Sequence, residues 1–80
     1  MKKVKRIKPL PGYRLEVEFE GGGLAVLDLQ SKLFGPVFEP LKDAVYFSKA
    51  SVDEFGVICW PNGADIAPET VFEEAVPYKA

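Results

Sequence analysis

Tyr13-Arg14-Leu15-Glu16-Val17-Glu18-Phe19-Glu20 alternates apolar and charged residues without a break. A period of two puts Tyr13, Leu15, Val17 and Phe19 on one face of a strand and Arg14, Glu16, Glu18 and Glu20 on the other. Upstream lies a basic segment, Lys2-Lys3-Val4-Lys5-Arg6-Ile7-Lys8, separated from it by Pro9-Leu10-Pro11-Gly12. Those prolines and the glycine predict a turn. The resulting hairpin sets the lysines across from the glutamate row, where each opposite-charge pair adds a few tenths of a kcal/mol. Downstream, Gly21-Gly22-Gly23 supplies the positive φ angles of a tight hairpin turn. Leu24-Ala25-Val26-Leu27-Asp28-Leu29 then reads as a third strand, whose unbroken aliphatic run suits a strand covered on both faces or a central position in the sheet. Asp28 is expected to end it and cap a short turn around Gln30 to Phe34.

Two prolines punctuate Gly35-Pro36-Val37-Phe38-Glu39-Pro40-Leu41-Lys42-Asp43, which limits the segment to a helical turn or an irregular loop. Val37, Phe38 and Leu41 are placed at one end of the core. Ala44 to Val52 and Val57 to Trp60 flank a polar Asp53-Glu54-Phe55-Gly56 turn and read as a second hairpin. Pro61 ends the last of these strands, and Asn62-Gly63 signals a turn. Ala67-Pro68-Glu69-Thr70-Val71-Phe72-Glu73-Glu74-Ala75 predicts a C-terminal helix, with proline at its start and Glu69 at the positive end of its dipole. Val71, Phe72 and Ala75 are expected to face the sheet. The fold class is therefore α+β: a small, mostly antiparallel sheet of about five strands in two hairpins, a short central helical turn and a short C-terminal helix.

Eighty residues with net charge −2 confine the chain to one small core. Apolar burial at about 25 cal/mol per Å² nearly balances about 1.5 kcal/mol of entropy per ordered residue at this length, so homodimerisation is open. Cys59 is the sole cysteine and histidine is absent. No intramolecular disulfide can form, the common zinc ligand sets are missing, and no metal or cofactor is expected. A reduced, cytoplasmic protein follows. The basic N-terminus precedes no apolar run of signal-peptide or membrane-span length. Six Lys or Arg and no acid fall within residues 1 to 15. Two accounts of them stand: a solvated charge ladder, and a nucleic-acid footprint using Lys2, Lys3, Lys5, Arg6 and Lys8. The acidic remainder and the lack of interleaved aromatics weigh against the second. Catalysis has no visible parts, since Cys59 sits in an apolar strand and no nucleophile and base pair is apparent. Gly21-Gly22-Gly23 lacks the lysine and hydroxyl residue of a phosphate loop.

What remains is Trp60-Pro61-Asn62-Gly63-Ala64-Asp65, the only tryptophan joined to a turn and an acid. Either the ring is buried and Asp65 accepts N–H groups of the turn, or Trp60, Asn62 and Asp65 form a binding surface. Together with the basic first strand, the glycine turn, the aspartate-ended strand, Gly35-Pro36-Val37-Phe38 and Pro40-Leu41, this run resembles the small bacterial domains grouped as domain of unknown function (DUF) 2442. The likeness spans nearly the whole chain. It implies a small α+β fold, sometimes joined to a helix-turn-helix segment, and gene neighbourhood with another small protein in a toxin and antitoxin-like arrangement. No activity comes with it. The expectation is a non-enzymatic binding or regulatory module whose partner is a protein, such as the product of a neighbouring gene.

Overall fold

The computed structural model describes residues 3–77. Three long strands, β1 (Val4–Leu10), β2 (Arg14–Phe19) and β3 (Leu24–Asp28), form the antiparallel meander that the alternation demands. Leu15, Val17 and Phe19 of β2 are buried, and Ala25 and Leu27 of β3 share their face. Opposite β2, the register places Arg6 across from Glu18 and Lys8 across from Glu16, with an irregularity between Val4 and Arg6. The charge ladder thus lies on the outer face of the sheet.

Tyr13 departs from expectation. It lies in the Pro11-Gly12-Tyr13 turn and not on the strand, with φ of 61°. Contacts hold that left-handed backbone: its hydroxyl donates to the Lys42 carbonyl, its carbonyl accepts from the Leu29 N–H, and its ring meets Phe47 edge-on at 5.6 Å.

Asp28 ends β3 as expected, and its Oδ1 accepts the Gln30 N–H at 2.9 Å, starting a 3-10 turn over Gln30–Lys32. A second 3-10 turn, Glu39–Lys42, contains Pro40 and buries Leu41 completely. Phe38 packs half-buried against the core, while Val37 is exposed. Of the three residues expected at this end of the core, Leu41 alone is fully inside.

The expected strand over Ala44 to Val52 is corrected: Ala44–Phe47 forms a helical turn, α1, and β4 is reduced to Ser51–Val52. Asp43 caps α1 by accepting the Val45 N–H at 2.9 Å, and Ser48 closes it by donating to the Val45 carbonyl. β4 pairs with β5 (Ile58–Cys59), so the second hairpin exists in shortened form. Two further strands were not anticipated. β6 (Asp65–Ile66) pairs with β5, and β7 (Val76–Pro77) pairs with β3.

The strands form two antiparallel sheets, ordered β1-β2-β3-β7 and β4-β5-β6, and not one. They share a single apolar cluster, to which the second sheet contributes Ile58 and Ile66. β4 lies against β1, and the helix α2 (Pro68–Glu74) buries Val71 in the same core. Pro68 and Glu69 occupy the first turn of α2 as expected. Ala75 is half-buried, whereas Phe72 is half-exposed and meets Phe19 edge-on at 5.9 Å. No helix among the described residues is long and apolar enough to cross a membrane.

Candidate functional site

The Trp60 to Asp65 run is a hairpin turn between β5 and β6, with β6 standing between it and α2. The Trp60 N–H donates to the Ala64 carbonyl at 2.9 Å and the Gly63 N–H to the Trp60 carbonyl at 3.1 Å. Gly63, at φ of 93°, supplies the left-handed corner.

The structure separates the three candidate binding residues. Trp60 is 4% exposed, its ring tilts against Phe47 at 5.9 Å, and its Nε1–H donates to the Phe47 carbonyl at 3.0 Å. Its position is that of a core residue with its one donor satisfied. Asn62 sits on the surface but is tied at both ends of its amide: Nδ2 donates to the Val37 carbonyl at 2.9 Å and Oδ1 accepts the Ala64 N–H at 3.1 Å. It clips the Gly35–Phe38 segment to the hairpin and performs the turn-capping task expected of Asp65. Asp65 itself is exposed on β6, and its carboxylate has no hydrogen-bond or ion-pair partner among the described residues.

Asp65 stands at the mouth of a cleft of about 220 Å³. The cleft opens where the two sheets meet: Leu27 and Leu29 come from the β3 side, Asp65 and Ile66 from β6, Thr70 and Glu74 from α2, and Leu33 and Phe38 from the loop between β3 and α1. Across the mouth, Lys32 Nζ pairs with Glu74 Oε1 at 2.6 Å, joining the 3-10 turn to α2. Sequence reasoning missed Lys32, Leu33, Thr70 and Glu74 as neighbours of Asp65. No local spacing brings them together; the only sequence signal was the aspartate following the turn.

Two wider hollows occupy other surfaces. One, about 450 Å³, runs from Pro9 to Tyr13 beside Phe47 and Ser48; the other, about 430 Å³, lies between Gly22 to Ala25 and Phe72. Neither contains a charged side chain.

Among the basic residues, Lys2 lies outside the described residues. Arg6 Nε pairs with Glu18 Oε1 at 2.9 Å, and Lys5 Nζ approaches Glu18 Oε2 at 4.0 Å. Lys8 is exposed opposite Glu16, and Lys3 lies against Gly56. The acid row therefore runs alongside the basic strand on the same surface. Cys59 is half-buried on β5, its Sγ 3.7 Å from the Ser51 hydroxyl.

A family model described as protein of unknown function (DUF2442) matches residues 4–77. No curated protein and no solved structure matches the chain.

Proposed function

The chain belongs to the DUF2442 family, and on that footing we propose that it is a non-enzymatic protein-binding module, one member of a two-protein pair of the toxin and antitoxin type. The cleft between the sheets is where it engages its partner. The observation that carries this is the combination of apolar walls with a carboxylate at the mouth, that of Asp65, which is unpaired among the described residues. Its volume of about 220 Å³ is below the roughly 300–1,000 Å³ of sites that enclose small molecules. It suits one inserted side chain better than a whole substrate.

Leu24, Phe72 and Val76 are also exposed, Leu24 and Phe72 at the separate hollow beside Gly22 to Ala25. The nucleic-acid alternative has less support, because Glu16 and Glu18 face the basic strand and would repel phosphates that Lys5, Arg6 and Lys8 attract.

Co-expression with the product of the neighbouring gene tests the proposal. The two proteins are expected to co-elute, and Thr70→Arg, which crowds the cleft mouth, should weaken the complex at least tenfold while the isolated variant retains its circular dichroism melting curve. Failure to co-elute, or a complex indifferent to Thr70→Arg, would overturn it.

A further inference from the structure

We propose that the cleft takes an arginine side chain of the partner, aliphatic stem inside and guanidinium on Asp65. This rests on the protein-binding role above and specifies what is bound.

The cleft has two chemically distinct parts. Its walls are aliphatic and aromatic: Leu27, Leu29, Leu33, Phe38 and Ile66. Its mouth holds three charged groups, of which Lys32 and Glu74 neutralise each other at 2.6 Å, leaving the Asp65 carboxylate without an ion-pair partner among the described residues. The mouth is therefore net negative. A purely apolar side chain would fill the walls and leave Asp65 without a partner under a covering surface, where a buried unpaired charge is costly. An acidic one would be repelled.

The complementary group is an apolar stem ending in a cation, which describes Arg and Lys. Arginine is the better match, because its planar fork pairs with a carboxylate through two parallel hydrogen bonds and is less strongly hydrated than an ammonium group. Thr70 at the same mouth offers a hydroxyl to a remaining guanidinium N–H.

The test uses three capped pentapeptides, identical except for arginine, norleucine or glutamate at the centre, titrated into the isotope-labelled protein by NMR. The arginine peptide is expected to shift the backbone amides of Leu29, Ile66 and Thr70 with millimolar affinity. Norleucine at the centre, or Asp65→Asn in the protein, should weaken binding at least tenfold, and glutamate should abolish the shifts. Raising NaCl to about 0.5 M, which shortens the screening length to about 4 Å, should weaken only the arginine peptide. Equal binding of the norleucine peptide, or retention of affinity in Asp65→Asn, would overturn the arginine assignment. Absence of binding by all three would overturn it as well. In either case a natural complex that still responds to Thr70→Arg leaves the protein-binding role standing, so the two failures are distinguishable.

Discussion

Asn62 and Asp65 show how differently two short polar residues of one turn are employed. Asn62 hydrogen-bonds through both ends of its amide, to the carbonyl of Val37 and the N–H of buried Ala64, whereas Asp65 bonds to nothing among the described residues. Two net hydrogen bonds are together worth about 1–3 kcal/mol. Asn62→Ala is therefore expected to lower the thermal midpoint clearly, by about 4–8 °C per kcal/mol in a domain of this size. Asp65→Ala should remain within about 0.5 kcal/mol of the parent, as for an exposed side chain without partners. Melting curves followed by circular dichroism decide the matter, and equal losses for the two variants would contradict these assignments. The sequence made both residues conspicuous but did not say which would cap the turn. The cap is local, Asn62 Oδ1 to the Ala64 N–H two residues on; what the sequence did not show is the second bond, to Val37 from a distant segment.

At the scale of elements, the β4–β5 hairpin depends on two residues of its connecting turn. Asp53 Oδ1 accepts the N–H groups of Phe55 and Val57 at 2.9 and 3.0 Å. Gly56 is buried at φ of 77°, and a Cβ there would lie 2.7 Å from Lys3 Cβ. Gly21 has a comparable φ of 88° but open space around it. Gly56→Ala should therefore destabilise the protein by more than Gly21→Ala, which incurs only the left-handed backbone cost of about 1–2 kcal/mol. Chemical denaturation of the two variants measures the difference, and a Gly21→Ala loss equal to or larger than the Gly56→Ala loss would refute the close packing of Lys3. The neighbouring helix α1 explains why a strand was expected in its place. Val45, Tyr46 and Phe47 have strand propensity, yet in a strand Val45 and Phe47 would share a face. In the structure Val45 is 71% exposed and Phe47 only 3%. The Asp43 cap and the contacts of the Phe47 ring with Tyr13 and Trp60 outweigh propensity.

For the molecule as a whole, the two sheets and α2 bury their apolar faces in one cluster, so neither sheet has a core of its own. A single cooperative transition is expected, with far- and near-ultraviolet circular dichroism reporting the same midpoint. Four ion pairs occur among the described residues, all with side chains at least 31% exposed. Exposed pairs contribute about 0–1 kcal/mol each and are screened by salt. Raising NaCl from about 0.05 to 0.5 M should therefore move the midpoint only slightly, by a few degrees at most; a large shift would reveal a charge contribution that these pairs do not account for. The meander of β1, β2 and β3, the aspartate that ends it and the proline-started C-terminal helix were legible in the chain, because each follows from a local period, turn or cap. Only the tertiary structure decided that there are two sheets, that two-residue strands β6 and β7 exist, and that Asp65 shares a cleft with Lys32, Thr70 and Glu74. A two-residue strand has no period to detect; it is created by the neighbour that pairs with it. The cleft likewise belongs to the joint between the sheets, which no single segment encodes.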